Sequence, residues 1–248
     1  MPRYFIEVSY KGTNYSGFQI QHNANSIQAE IEKALKIFFK GTFALTGASR
    51  TDSGVHALQN FFHFDAESIS LENDFLYSLN SILPHDIVIK NIYAAKGNAH
   101  CRFDAIEREY KYFIYQNKDP FLNDRAYYYP YTIDIEKLQE AAKQILDYED
   151  FTSFSKRNTQ VKNFLCSIYK SKWSKEEECM VYNVSANRFL RGMVRGLVGT
   201  MLKIGTGKIT TNELKIIIES RNCTMADFSV PSHGLFLTGI KYESSIFL

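Results

Sequence analysis

Residues 43–64 read FALTGASRTDSGVHALQNFFHF, which is two apolar runs separated by a polar loop. The apolar runs, 43–48 and 58–64, predict strands, and the loop is rich in the glycine, serine and aspartate that turns favour. Asp52 lies in this loop, two residues after Arg50. A nearby cation favours the ionised form of a carboxylate. Asp52 is therefore either a turn-forming aspartate or a charged, reachable functional group.

Hydrophobic periodicity extends the pattern on both sides of this loop. The elements predicted before residue 105 are a strand at 4–10, a helix capped by Asn25 or Ser26, strands at 43–48 and 58–64, a helix at 74–82 and a strand at 87–93. Their order is β-α-β-β-α-β, the arrangement of a ferredoxin-like unit.

The second half repeats this order. Its predicted elements are a strand at 109–115, a helix capped by Asp134, strands at 167–173 and 180–186, a helix at 189–204, a helix opened by the capping box of Thr210 and Glu213, and a strand at 235–242. We therefore predict an α+β fold of two ferredoxin-like halves, 1–105 and 106–248. The halves are expected to form one continuous, mostly antiparallel sheet with helices packed on it and a central cleft.

The composition is that of a globular protein, with 45% hydrophobic and 23% charged residues among 248. No run approaches the ~18 apolar residues that span a bilayer, and the N-terminus lacks the pattern of a signal peptide. A soluble intracellular protein is expected. The net charge is only +2, but basic residues gather around Arg108, Lys156 and Arg191. One basic face on a near-neutral chain is consistent with an RNA partner and is also common on ordinary surfaces.

Four cysteines and six histidines are scattered along the chain without metal-ligand spacing, so no metal site is predicted. His100 and Cys101 are neighbours in the sequence. If they lie on a strand, their side chains point to opposite faces, which disfavours a joint role.

Two further segments combine aromatic and polar residues. Residues 10–21, YKGTNYSGFQIQ, form a glycine-rich loop that is either a contact for RNA or a long surface hairpin. Arg108, Tyr110 and Tyr112 alternate along a predicted strand. A tyrosine flanked by cations is a stacking platform for an unpaired base, but tyrosines at alternate strand positions also fill ordinary sheets.

Residues 187–199, NRFLRGMVRGLVG, combine an apolar stripe, three arginines and three glycines within one predicted helix. Arg188, Arg191 and Arg195 recur at helical spacing and would share a face. Each glycine costs roughly 1 kcal/mol relative to alanine inside a helix, so close approach of another backbone is expected there. Arg195 borders the apolar stripe, where a cation needs a carboxylate partner.

Four of these segments, together with a fifth at 231–237, resemble the TruA family of tRNA pseudouridine synthases. The resemblance runs from Tyr10 to Tyr242 through YKGTNYSGFQIQ, RTDSGVH, REYKY, FLRGMVR and the closing PSHGLFL. Lys11 and Phe18 depart from the family pattern in the first segment. Ser49 and Ser53 stand where the family commonly has glycine or alanine.

The resemblance implies a role for each of several residues. Asp52 would be the catalytic carboxylate, Tyr110 would stack on the target uridine, and Arg195 would pair with Asp52. Arg50 would take the space left by the extruded base or grip phosphate. The remaining implied contacts are Leu235 in the wall of the base pocket and Arg188, Arg191, Lys11 and Gln19 on the RNA.

The implied reaction converts uridine to pseudouridine at positions 38, 39 and 40 of the tRNA anticodon stem-loop. No cofactor or metal is expected, and the implied assembly is a cytoplasmic homodimer that binds tRNA. Two alternatives are a synthase of the same fold that acts on other RNA positions and a noncatalytic RNA-binding or chaperone protein.

Overall fold

The computed structural model describes residues 1–67, 69, 74–157 and 161–248. It contains two compact units, Met1–Ile106 with Phe236–Leu248 and Glu107–Leu235. The described residues form nine mostly antiparallel strands and five α-helices, which confirms the predicted α+β class. The two halves as separate domains, and a cleft between them, stay predictions.

The first unit has the predicted β-α-β-β-α-β order. Its elements are β1 (Arg3–Tyr10), α1 (Ile27–Phe39), β2 (Thr46–Gly47), β3 (His56–Asp65), α2 (Phe75–Ile82) and β4 (Ile87–Ala95). Strand β1 pairs antiparallel with both β3 and β4, and β2 pairs antiparallel with β3. The strand predicted at 43–48 is thus reduced to two residues.

Capping explains where α1 begins. The Ser26 side chain accepts a hydrogen bond from the N–H of Ala29, so Ser26 and not Asn25 is the cap. Ile27, Ile31 and Leu35 form its buried stripe. The helix therefore follows the predicted pattern.

The last strand, β9 (Leu235–Tyr242), runs parallel to β3, with His56 opposite Phe236 and Ala57 opposite Leu237. This pairing explains why Phe236–Leu248 belongs to the first compact unit although it ends the sequence.

The described residues of the second unit form three longer strands, one short strand and three α-helices. They are β5 (Ala105–Tyr115), β6 (Tyr127–Tyr128), α3 (Ile135–Gln144), β7 (Ile168–Glu176), β8 (Cys179–Ala186), α4 (Met193–Gly205) and α5 (Thr211–Glu219). Strand β8 lies between β5 and β7 and is antiparallel to both. The Asp134 cap and the Thr210–Glu213 capping box form as predicted.

The helix predicted at 189–204 begins later, at Met193, and the prediction of its start is wrong. Gly192 precedes it with φ +76°, a left-handed conformation that favours glycine. A Cβ on Gly192 would also lie 2.9 Å from the Lys156 side chain. Arg188 and Arg191 therefore precede the helix and do not share a helical face with Arg195.

The close approach expected at the glycines of α4 is confirmed at Gly199. A Cβ there would lie 2.3 Å from the carbonyl oxygen of Asp227, and one on Gly196 would lie 2.8 Å from the Phe228 ring. The neighbour is the irregular segment before β9 and not a sheet. Among the described residues, no helix is long and apolar enough to cross a membrane.

Candidate active site

The loop between β2 and β3 carries Asp52 at a tight turn. The main-chain carbonyl of Asp52 accepts a hydrogen bond from the N–H of Val55 at 3.2 Å, and Gly54 has φ +77°. Thr51 before the turn is buried, Asp52 is half-buried, and Ser53 and Arg50 are exposed. The backbone thus forms the turn and leaves the Asp52 residue at the boundary with solvent.

Buried polar side chains support this loop from beneath. The Tyr10 hydroxyl lies 2.8 Å from the Thr51 hydroxyl, and the Asn60 amide donates to the Tyr10 hydroxyl at 3.1 Å and to the Ser49 carbonyl at 3.0 Å. Asn60 is fully buried and Ser49 is 7% exposed. Satisfied hydrogen bonds of this kind rigidify a buried network, because leaving one unmade is costly.

The glycine-rich loop 10–21 packs directly against the Asp52 turn. Its Phe18 N–H donates to the Thr51 carbonyl at 3.1 Å, and the Ser53 hydroxyl donates to the Tyr15 carbonyl at 3.1 Å. The Gly12 N–H donates to Nδ1 of His56 at 3.0 Å. The loop is therefore not a detached surface hairpin. Ser53, one of the two serines beside Asp52 that depart from the family pattern, makes one of these contacts.

Two aromatic residues anchor the same loop to the core. Phe18 is 1% exposed and stacks on Phe62 with ring centroids 4.4 Å apart. The Tyr15 hydroxyl donates to the Asp86 carboxylate at 2.5 Å, and burial together with this hydrogen bond raises the pKa of Tyr15. Lys11 and Gln19 remain exposed on the loop. Phe18 is thus a core residue, and Lys11 and Gln19 are available to solvent.

In the second unit, Tyr110 lies on β5 opposite Val184 and is 9% exposed. Its ring meets Phe189 edge to face, with centroids 5.0 Å apart. Sequence reasoning missed this role of Phe189, because it placed the residue inside a helix. The contact holds the tyrosine ring in one orientation.

The neighbours of Tyr110 on the same face of β5 have structural partners. Arg108 is buried and donates from Nη1 to the Asn187 carbonyl at 2.9 Å. Tyr112 is fully buried, donates to the Pro231 carbonyl at 2.7 Å and packs over Gly234. Tyr112 therefore belongs to the core.

Arg195 lies in the first turn of α4 and is half-buried. Its Nε donates to the Val230 carbonyl at 2.8 Å, and Nη2 donates to the Phe228 carbonyl at 3.5 Å. Within the second unit, main-chain oxygens thus orient the guanidinium. Charged hydrogen bonds of this kind are stronger than neutral ones.

The other site residues predicted in the second unit precede or follow α4 in the sequence. Leu235 is 7% exposed at the start of β9, and Arg188 is half-buried after β8. Arg191 is exposed, and its carbonyl accepts the N–H of Lys156 at 2.9 Å. The structure therefore brings the segment at Lys156 next to the arginines that precede α4.

Comparison with known proteins gives one consistent result. The family model described as tRNA pseudouridine synthase matches residues 6–104 and 141–243. The chain is 43% identical over 248 residues to tRNA pseudouridine synthase A of Parabacteroides distasonis, covering 100% of this chain and 98% of that protein. It is 42% identical over 247 residues to the protein of the same name in Azobacteroides pseudotrichonymphae, with 100% and 99% covered. For the Staphylococcus aureus strain N315 protein of that name, identity is 34% over 245 residues, with 98% and 92% covered.

Proposed function

This chain belongs to the tRNA pseudouridine synthase family, and we propose that Asp52 is the carboxylate with which it isomerises uridine to pseudouridine in tRNA. The proposed targets are positions 38, 39 and 40 of the anticodon stem-loop. The proposed working form is a cytoplasmic homodimer that binds one tRNA across both subunits.

The observation that carries this proposal is the support of the Asp52 turn. Hydrogen bonds from Asn60 and Tyr10 hold the residues before Asp52, and the Ser53 hydroxyl joins the turn to the loop 10–21. A reacting group must be held within about 0.5 Å of its productive position. An ordinary surface aspartate does not need such support.

The reaction breaks the N-glycosidic bond of uridine, turns the uracil and rejoins it to the ribose through C5. Two roles for Asp52 fit this sequence of bonds. Its carboxylate either adds to C1′ or C6 as a nucleophile, or removes the C2′ proton to give a glycal. Both require an ionised carboxylate, and in both the C5 proton leaves after the new C–C bond forms while N1 of the uracil takes up a proton. In the glycal route the C2′ proton also returns to the ribose.

Residues of the second unit complete the proposed machinery. Tyr110, held edge to face by Phe189, would stack on the extruded uracil. Arg195, oriented by two carbonyl oxygens, would supply the counter-charge to Asp52, and Leu235 would line the base pocket. A base in a stem must leave the stack at a cost of a few kcal/mol, and the exposed Arg50 would occupy the vacated space or bind phosphate.

The affinity for tRNA is assigned to exposed cationic and polar groups. Arg191, Lys11 and Gln19 are exposed and Arg188 is half-buried. Phosphate contacts supply most nonspecific nucleic-acid affinity and depend on salt. Substitution of these residues should therefore change binding more than the rate of the chemical step.

Substitution of Asp52 tests the proposal. Asp52→Asn keeps the size of the side chain but removes its charge and basicity. We expect turnover of unmodified tRNA to be abolished while tRNA affinity stays within about tenfold of wild type. Asp74→Asn, at an exposed aspartate before α2, is the matched control and should retain full activity. Turnover by the Asp52 variant would contradict the assigned role.

Mapping the product separates the proposal from its alternatives. Purified protein is incubated with unmodified tRNA, and pseudouridine is located by chemical mapping. Product at positions 38, 39 or 40 supports the proposed specificity. Product confined to other positions indicates a synthase with a different target. Binding without product, unchanged by Asp52→Ala, indicates a noncatalytic RNA-binding protein.

A further inference from the structure

A cluster of two imidazoles and one thiol lies in the first unit, and it is formed by His63, His100 and Cys101. One ligand-type atom from each residue lies within 4.8 Å of the other two. From this arrangement we propose that the chain binds one Zn²⁺ at the His63 cluster.

Spacing in the sequence does not reveal this group, because His63 comes from β3 and the other two residues follow β4. His100 and Cys101 do not lie on a strand, contrary to the expectation that would separate their side chains. Cys101 is in a turn, and both side chains face His63. The argument from strand geometry against a joint role for His100 and Cys101 therefore does not apply.

The distances are close to those of a zinc site. Nδ1 of His63 lies 3.1 Å from Sγ of Cys101, and the two imidazole centroids are 4.6 Å apart. Zn–N bonds of about 2.0 Å and Zn–S bonds of about 2.3 Å in tetrahedral geometry place ligand atoms about 3.5 Å from one another. The 3.1 Å separation must grow by about 0.4 Å, and any separation near the 4.8 Å limit must shrink by about 1.3 Å.

The backbone around the cluster is already in place. His63 sits in β3 opposite Phe5 of β1 and Thr46 of β2. The turn is held by the His100 N–H, which donates to Asp104 at 2.7 Å, and by the Tyr242 hydroxyl, which donates to the Cys101 carbonyl at 2.6 Å. These two contacts fix the backbone of the turn that carries His100 and Cys101.

The donor types favour zinc over hard cations. Imidazole and thiolate bind Zn²⁺ well, whereas Mg²⁺ and Ca²⁺ prefer oxygen. The fourth ligand position would be filled by water or by the Thr46 carbonyl oxygen, which lies 3.1 Å from Sγ of Cys101. Cys101 is fully buried, but His100 is half-buried beneath the exposed Phe103 ring, which gives the ion an entry side.

Binding exchanges existing hydrogen bonds for metal bonds. The Cys101 thiol gives its proton to solvent as the Zn–S bond forms, and it loses its hydrogen bond to Thr46. A bond from Nδ1 of His63 to the ion would likewise replace the hydrogen bond that this atom accepts from the Cys101 N–H at 3.3 Å. Both imidazoles bind as neutral ligands, so about one proton is released per ion. The ion would fasten the turn after β4 onto β3.

This site is separate from the Asp52 loop. His56, which follows the Asp52 turn, begins β3, and His63 lies seven residues further along the strand, a span of roughly 23 Å. The proposed ion is therefore structural and takes no part in the chemistry at Asp52.

Cobalt and zinc titrations of the full chain, stripped of metal with a chelator, test the proposal. With Co²⁺ we expect one ion per chain, a near-ultraviolet thiolate-to-cobalt band and visible absorption typical of tetrahedral cobalt. Zn²⁺ should displace the cobalt and raise the melting temperature. Cys101→Ala should abolish the thiolate band and weaken zinc binding by more than about tenfold, whereas Cys223→Ala should preserve both.

A second variant is needed because substitution of the buried Cys101 can itself destabilise the fold. His100→Gln changes a half-buried residue and should also weaken zinc binding by more than about tenfold, with an unchanged circular dichroism spectrum. The proposal is overturned if the wild-type chain binds no Zn²⁺ at micromolar concentration. It is equally overturned if His100→Gln, or a folded Cys101→Ala, binds as tightly as wild type.

Discussion

The supports of Asp52 and of Arg195 differ in kind. In the first unit, buried side chains hold the turn that carries Asp52, through the hydroxyls of Tyr10 and Thr51 and the Asn60 amide. In the second unit, main-chain carbonyls of residues 228 and 230 orient Arg195. Glycines in α4 leave room for residues 227 and 228 to pack against the helix. The first arrangement depends on particular functional groups, whereas the second depends mainly on the absence of side chains. Different substitutions should therefore disrupt the support of Asp52 and the support of Arg195.

The largest loss of stability among these variants is expected from Gly12→Ala in the first unit. A Cβ on Gly12 would lie 2.0 Å from the Val55 carbonyl oxygen, and real contacts do not come so close. The loop 10–21 must move away from the Asp52 turn, at a cost of about 3 kcal/mol in the free energy of unfolding. Turnover should fall at least tenfold. Urea unfolding and tRNA kinetics measure both effects.

Gly97→Ala is the matched control, because a Cβ on Gly97 has nothing within 4 Å. It should leave the free energy of unfolding within about 0.5 kcal/mol of wild type. Equal stability of the Gly12 and Gly97 variants would show that close packing of the loop 10–21 does not hold the Asp52 turn.

Gly199→Ala should have the next largest effect. Its Cβ would lie 2.3 Å from the Asp227 carbonyl oxygen, which displaces the segment that orients Arg195. Because alanine is favoured over glycine in a helix by about 1 kcal/mol, part of the cost is offset. We expect a net loss of about 2 kcal/mol in the free energy of unfolding, with reduced turnover. A Gly199 variant more stable than wild type would show that the segment yields without strain.

The same contrast explains how far the sequence could predict the structure. Capping at Ser26, Asp134 and Thr210 depends on residues within one turn, and these helices begin where their caps predict or at one of two predicted caps. The start of α4 does not depend on local residues alone, because Gly192 adopts a positive φ beside Lys156, which is 36 residues away in sequence. The hydrophobic periodicity of the sequence continues across Gly192, so it predicts helix for residues that lie before α4.

Within the candidate site too, features set by neighbouring residues are predictable, whereas contacts between residues distant in sequence are not. The motif around Asp52 was identified from its residues, but its support by Asn60 was not, because a buried amide within a strand pattern gives no separate signal. The contact of Phe189 with Tyr110 depends on the register of β5 and β8 and on the loop after β8. Two-residue strands such as β6 are too short to show a period.

A pair of tyrosine variants compares the two supports with one chemical change. Tyr10→Phe removes the hydroxyl shared by Thr51 and Asn60, and Tyr112→Phe removes the one that donates to the Pro231 carbonyl. Each should lower the free energy of unfolding by about 1–2 kcal/mol, because a buried partner loses its hydrogen bond. Tyr10→Phe should cost more, since two partners are affected. Denaturant unfolding checks the order, and the reverse order would contradict it.

The smallest effect concerns the pH dependence of stability and comes from Asp227 in the segment that orients Arg195. Burial by itself raises the pKa of Asp227, but hydrogen bonds from Ser229 and Lys203 outweigh it and leave that pKa below its ordinary value. A carboxylate with a lowered pKa in the folded state contributes stability that is present above its unfolded value, near 3.9. That contribution is lost as the pH falls through the folded pKa.

Asp227→Asn should therefore flatten the acid limb of the stability curve below about pH 4. Asparagine can still accept the Ser229 N–H, so the fold around Arg195 should persist. At neutral pH the loss should stay below about 1 kcal/mol, because the partner Lys203 is 43% exposed and its ion pair is screened by solvent. Urea unfolding from pH 2.5 to 7 (about the range of carboxylate titration) measures the difference. An acid limb that is identical in the variant and wild type would show that the Asp227 charge contributes nothing, and that shape alone positions the segment on α4.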